Sequence, residues 1–326
     1  MNKERPAAPP AGLVASVPDS FDDVSFVPLP IGSLSADGSA VVGAGGHLFL
    51  LRGANDLVAS YRRASTPEAQ AALDSHASKW VELLTSRAER AESLGVEFSQ
   101  VVVPEKSTHV PSGISELSGV TPLLDLIEHR LNHLPWYISA LEALRSHSAP
   151  PALLWRKLDT HLSACGALAL SEKIVERSNP DFVWPEQRFT RERALEGDLT
   201  QRFFGSILAE VVYEPDMEFL ASLASDPVLT ESVEPTGSGR FLGARRVWRN
   251  EAAPIAKCVV VFGNSFFGSN PITASRCNFW FSRVFKELHF VWSPEVDFGY
   301  AVSRGADLIV GQTNERFLTR VPVDVN

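Results

Sequence analysis

Residues 257–267, KCVVVFGNSFF, decide how this 326-residue chain is read. The run Val259, Val260, Val261 and Phe262 fits a central strand covered on both faces, so the residues after it emerge at the carboxyl edge of a sheet. Open α/β sheets place their ligands at that edge. Gly263 permits a tight turn and sets Ser265 near a turn or helix N-terminus, where free N–H groups can stabilise an oxyanion. A plain helix cap is the other reading of Ser265.

Outward from this strand the pattern is α/β. Ser65 or Thr66 can cap a helix, Pro67 suits its first turn, and Leu73, Ala77, Trp80, Leu84, Ala88, Ala91 and Leu94 recur at helical spacing until Gly95. VEFSQVVV, from Val96, then reads as a buried strand ended by Pro104, with Glu105, Lys106 and His109 in the loop beyond. Helix followed by buried strand recurs downstream. Residues 123–144 are helical in pattern with a break at Pro135, 152–155 read as a short strand, and 163–177 as a helix. The pattern loosens over 180–256, which holds six prolines and a Gly-rich turn at 236–239, so an inserted irregular region or lid is expected there. Residues 275–288 read as one helix and 307–310 as a late strand. Residues 1–40 lack a sustained period and read as a flexible or draped arm before a domain spanning 41–326.

The short strand leads to Asp159-Thr160-His161. In an extended segment, a spacing of two points both side chains to one side. The Asp can then accept from one ring nitrogen while the other faces a serine, and with Ser265 these residues would complete an acyl-transfer triad. A loop Asp and His also serve commonly as turn formers.

Composition bounds the rest. With 44% hydrophobic residues the chain can bury a sizeable core, and a net charge of −9 argues against a nucleic-acid partner. Cys165, Cys258 and Cys277 are odd in number and have no CxxC spacing, so neither a disulfide framework nor a zinc knuckle is indicated. His129 and His133 do not form H-E-x-x-H, and Gly43, Gly45 and Gly46 do not form G-x-G-x-x-G. No metal and no cofactor are expected. The N-terminus has no apolar leader core and no run reaches the ~18 apolar residues of a membrane span. A cytoplasmic chain without an integral membrane segment is expected, or a periplasmic one if a leader has been removed.

Six segments, VVGAGGHLFL (41–50), VVVPEKSTHVP (101–111), LWRKLDTHLSACGA (154–167), GDLTQRFF (197–204), VVVFGNSFFG (259–268) and DLIVGQTNERFL (307–318), occur in an order that resembles the SGNH-hydrolase-like domain of the alginate O-acetyltransferase (AlgX/AlgJ) family. The resemblance covers about residues 41–320. It implies a three-layer α/β/α sandwich with a mainly parallel sheet and permuted motif order, Ser265 as nucleophile, His161 as general base and Asp159 as the residue that orients it. It further implies a serine-dependent O-acetyltransferase or acetylesterase acting on carbohydrate hydroxyls, with an acetyl donor, a carbohydrate or glycoconjugate acceptor, and a membrane-bound acyltransferase as the partner supplying acetyl groups. The chain departs from the family at Asn264, where Asp is common, and at Leu162 and His47, where the family has Trp. These departures motivate the alternative of a non-catalytic glycan-binding or scaffold protein that retains the fold. The acceptor expected of a cytoplasmic chain is a cytosolic glycan, a glycoconjugate precursor or a small metabolite.

Secondary candidates follow from chemistry. Gly263 and Asn264 shape the turn, and Asn314 and Asn55 are amides that could complete an oxyanion hole beside the Ser265 N–H. Arg245 and Trp248, within the stretch Arg240–Arg249, combine guanidinium forks with an indole and could hold an anionic sugar or a phosphate-bearing donor; a solvated hairpin is the other reading. Lys106 is a candidate of the same kind.

Overall fold

The computed structural model describes residues 29–53, 55–204, 209–235, 241–268 and 272–324. Of the expected arm only 29–40 lies among them, and the turn at 236–239 and Arg240 lie outside them. Eleven strands are formed by the described residues: β1 (Ala40–Val42), β2 (Leu48–Leu50), β3 (Glu97–Val103), β4 (Tyr137–Ser139), β5 (Arg191–Glu196), β6 (Ala209–Glu214), β7 (Val228–Val233), β8 (Arg245–Arg249), β9 (Ile255–Gly263), β10 (Phe285–Trp292) and β11 (Leu308–Asn314). Seven build the main sheet in the order β4-β3-β11-β9-β10-β8-β7. Its first five strands are parallel, and β8 runs antiparallel to both β10 and β7.

Both faces of this sheet are covered, and the alternation along each central strand shows why. Val101, Val103, Val259, Val261 and Val310 enter one core cluster, beneath the helices Ala164–Ser178 and Cys277–Val284. Val102, Val260, Phe262 and Ile309 point the other way, toward the helices Pro67–Ser93, Pro122–Leu131 and Phe298–Ser303. With period-2 side chains buried on both faces, such a strand has to be apolar throughout, as VVVF is. The result is the three-layer α/β/α sandwich.

Four segments differ from their sequence patterns. Within 123–144, read as helical, Tyr137–Ser139 is a strand paired with β3. Residues 151–154 form a helical turn, because Pro151 at its first position is preset for a helix. The helix expected over 275–288 ends at Val284, and Phe285–Trp292 is a sheet strand. The stretch 180–256 is mostly regular: β5 and β6 form an antiparallel pair, Met217–Leu223 is a helix, and β7 and β8 extend the main sheet. No helix among the described residues is long and apolar enough to cross a membrane.

Because β3, β9, β10 and β11 are parallel, their carboxyl ends share one edge. Register pairs Trp292 with Gly263 and Asn314 with Val103. Thus Glu105, the turn after Gly263, Ser293 and Asn314–Arg316 are neighbours although they are far apart in sequence.

Candidate active site

The turn after β9 is built from local bonds. The Asn264 carbonyl accepts from the N–H groups of Phe267 and Gly268, each at 3.0 Å, and its side-chain oxygen accepts from Phe266 N–H at 3.1 Å. The Asn264 N–H donates to Gln312 Oε1 at 2.9 Å. A Cβ on Gly263 would sit 2.7 Å from that same Gln312 oxygen, so only glycine leaves room for the bond. These bonds leave the Ser265 N–H without an acceptor among the described residues.

His161 arrives from a bent loop, not from the extended segment that the sequence suggested. Trp155 and Leu162 bridge as an antiparallel pair, and Arg156 N–H donates to the His161 carbonyl at 3.1 Å, which closes the loop. His161 Nε2 lies 2.8 Å from Ser265 Oγ, and Nδ1 lies 2.7 Å from Asp159 Oδ1. Asp159 Oδ1 also accepts from the His161 backbone N–H at 2.9 Å. The imidazole rests against Phe266, ring centres 4.9 Å apart. Serine hydroxyl, imidazole and carboxylate therefore stand in an unbroken hydrogen-bonded line.

Side chains outside the motif hold that loop. The Lys106 ammonium, 3% exposed, donates to the carbonyls of Arg156 (3.0 Å), Lys157 (3.2 Å) and Asp159 (2.7 Å). The Arg156 guanidinium donates to Asp159 Oδ2 at 2.9 Å and to the Glu196 carbonyl at 2.6 Å, and pairs with Glu210 Oε1 at 3.0 Å. Asp198 accepts from the Thr160 N–H at 2.8 Å and from its hydroxyl at 2.6 Å, and its carboxylate lies 3.6 Å from His161 Nδ1. The β5–β6 pair, through Glu196 and Glu210, and Asp198 just after β5 thus form one wall of the site. At Gly197 the backbone lies so close to the Leu158 carbonyl that no Cβ would fit.

The electrostatics suit a neutral base beside an ionised carboxylate. Burial lowers the His161 pKa below its ordinary 6.5, and the positive charge of Arg276 lowers it further, against the pull of Asp159. Burial pushes the Asp159 carboxyl up, but the attraction of His161 and Arg156 outweighs it and holds the group well below the usual carboxylate range. Burial brings the Lys106 ammonium down to about 8, despite Glu210 and Asp159 nearby. Deep placement is tolerated because each proton of that ammonium has a carbonyl.

The other residues singled out from sequence are placed as follows. Asn314 accepts from the Asn264 side-chain amide at 3.1 Å and donates to Glu105 Oε1 at 3.1 Å, so its amide braces the turn. Asn55 donates to the Arg316 carbonyl at 2.6 Å. Lys106 faces protein carbonyls, not a ligand. Trp248 is 5% exposed within the core, where it offers no face to a sugar. Arg245 pairs with Glu231, Arg246 with Glu234 and Arg249 with Glu287, so these arginines brace strands instead of forming a basic patch. Arg316 pairs with Glu105 at 2.6 Å, and Glu315 accepts from Glu105 N–H, Thr121 N–H and the Thr108 hydroxyl, which ties the end of β11 to the loop after β3. Arg156, Asp198, Glu210 and Arg276 have no sequence signature of their own, although Arg156 and Asp198 lie inside segments 154–167 and 197–204.

Among the described residues, two clusters have donor sets of the kind that can hold a metal ion, Asp159–His161–Asp198 and Cys258–Glu287–His289. The first is the hydrogen-bonded line just described. In the second, both imidazole nitrogens have partners, Tyr300 Oη at 2.8 Å and Glu287 Oε1 at 2.6 Å, and burial pushes the thiol up to about 12. Hydrogen bonding fits both clusters better than coordination.

No protein-family model matches the chain, and no curated protein matches it by sequence. Solved structures do share its fold. Bacillus cereus PatB1 aligns with a TM-score of 0.53 at 14% identity over 75% of this chain and 91% of its own. PatB1 has also been solved with a sulfonyl adduct, at TM-score 0.51 and 12% identity. A DHHW family protein from Eubacterium siraeum (TM-score 0.52, 13% identity) and the O-acetyltransferase domain of Pseudomonas putida AlgJ (TM-score 0.50, 13% identity) each align over 87% of this chain and 94% of theirs. At such identities the likeness is one of fold, the SGNH-like α/β architecture expected from the six segments.

Proposed function

We propose that this protein is a serine-dependent O-acetyltransferase or acetylesterase acting on carbohydrate hydroxyls. The observation that carries this reading is the hydrogen-bonded line Ser265 Oγ–His161 Nε2 and His161 Nδ1–Asp159 Oδ1, at 2.8 and 2.7 Å. His161 accepts the serine proton as Oγ attacks the acyl carbonyl, and Asp159 stabilises the imidazolium that forms. The oxyanion draws on the Ser265 N–H. Collapse expels the donor's leaving group, which takes the proton from His161, and leaves acetyl-Ser265. A sugar hydroxyl then gives its proton to His161 and attacks the ester, releasing the acetylated sugar and free serine. Water in its place gives acetate.

Asn264 does not weaken this reading, because its amide serves the turn in two directions at once, to Phe266 N–H and to Asn314. The fold shared with the AlgJ O-acetyltransferase domain supports the same class of chemistry. The acetyl donor is a membrane-bound acyltransferase or an activated ester, and the compartment is the cytoplasm, or the periplasm for a chain exported with a leader. Cleavage of p-nitrophenyl acetate tests the reading. The wild type should release nitrophenol, Ser265→Ala and His161→Ala should fall to background, and equal rates in all three proteins would exclude it.

A further inference from the structure

Beside the nucleophile turn, the same sheet edge carries a groove of about 670 Å³ that the chemistry above does not use. One wall is the end of β10. Trp292 pairs in register with Gly263, two residues before Ser265, and Ser293 N–H donates to the Gly263 carbonyl at 3.1 Å. A second wall includes Asn55 and Phe317. Asn55 holds the carbonyl of Arg316, whose guanidinium lies 5.8 Å from the Phe266 ring centre. Both walls are therefore joined within a few residues to the turn that presents Ser265.

The lining combines aromatic faces with separated polar groups. Trp292, Tyr300 and Phe317 supply the aromatic lining. Phe241, next to the lining and 49% exposed, stacks on one face of Trp292 with ring centres 4.6 Å apart and planes 23° from parallel, and so holds the indole in place. Ser293, Thr319, Glu295 and Arg320 stand around them. Broad apolar faces rimmed by spaced donors and acceptors match a sugar ring, which has C–H faces and hydroxyl edges. The walls are braced: Arg87 donates to the Pro294 carbonyl at 2.9 Å, and Asp324 accepts from Val296 N–H at 2.9 Å.

Charge selects among glycans. Arg245 and Arg320 are matched in the lining by Glu295 and Asp297, and Arg245 is already paired with Glu231. The groove thus has no excess positive charge, on a chain of net charge −9. A polyuronate needs a cationic track to offset its repeated carboxylates, and this lining lacks one.

We propose that this groove binds the acceptor, and that the acceptor is an uncharged glycan, not a polyuronate. The inference rests on the reading of Ser265 as an acyl-transfer nucleophile, but binding can be measured without turnover. Isothermal titration of the full chain carrying Ser265→Ala, with cellohexaose and with a mannuronate hexamer as probes, provides the test. Cellohexaose should give a saturable isotherm, and the mannuronate hexamer should bind at least about tenfold more weakly. Adding Trp292→Ala should weaken cellohexaose binding at least about tenfold, as removal of a central aromatic anchor does. Phe241→Ala, at an exposed position that folding tolerates, should weaken it in the same direction. Tighter binding of the uronate, no binding of cellohexaose, or no loss in either aromatic variant would overturn the proposal. Serine-independent ester cleavage would sink the catalytic reading alone and would leave the binding result standing.

Discussion

The turn Gly263–Gly268 and the loop Arg156–Leu162 bring a serine and a histidine to one point, yet they are held in different ways. The serine turn is the direct continuation of a central strand, and its bonds run to its own neighbours, to the adjacent strand β11, and by single backbone bonds to Ser293 and Asn278. The histidine loop has the Trp155–Leu162 bridge and one closing backbone bond, with Asp159 adding side-chain bonds to Arg156 and His161. Its shape comes from Lys106, 53 residues before Asp159, and from Asp198 and Glu210 on the β5–β6 side. One half of the site is local geometry, and the other is a buried network of charges.

This contrast can be broken from the chemical end first. His161→Ala should lower kcat/KM for ester cleavage by about 10³–10⁴-fold with little change in Tm, because it removes the member of the line that moves the proton. A large loss of Tm would show that the imidazole holds the fold. Arg156→Met should act on the loop's support instead. It leaves Asp159 and Glu210 buried without their guanidinium and should cost about 3–5 kcal/mol in urea unfolding, with activity falling alongside. A loss under ~1 kcal/mol would mean that the network is not what shapes the loop.

On the serine side, Gly263→Ala drives a methyl toward Gln312 and should cost about 1–3 kcal/mol, with a drop in kcat as the turn shifts. Unchanged stability and kcat would show that the close approach is not needed. The smallest effect is on pH. His161 is held below 6.5 by burial and by Arg276, so the neutral base survives as pH falls past 6.5 and activity is lost only as pH drops through the lowered pKa. Arg276→Gln should move this acid limb toward higher pH. A limb that stays in place, or moves down, would show that the Arg276 charge is not felt at the imidazole.

The same contrast explains what the sequence made legible. VVVF followed by GNSF is a local signal: four apolar residues and a glycine specify a buried strand and a tight turn with little help from elsewhere. Asp159 and His161 could be paired by spacing, although the backbone between them bends, because Lys106, Arg156 and Asp198 impose that bend from outside the motif. Residues 285–292, FKELHFVW, hide a strand because buried Phe285 and Leu288 stand three apart with polar Lys286 and Glu287 between them, a spacing that continues the preceding helix equally well. Over 180–256 the strands are short and β5 is polar along most of its length, so prolines dominate the pattern and the regular pairing leaves no alternation to read. Trp248 and Arg245–Arg249 looked like a ligand surface because neither the carboxylates opposite the arginines nor the burial of the indole can be read from one segment.

Treatment with a sulfonyl fluoride followed by intact-mass and peptide analysis tests the central claim most directly, because it reports on the nucleophile itself without needing the natural donor. The wild type should gain a single sulfonyl adduct mapped to Ser265, His161→Ala should gain it far more slowly, and Ser265→Ala should gain none. Modification at equal rates in all three proteins, or an adduct mapped to any residue other than Ser265, would contradict the account.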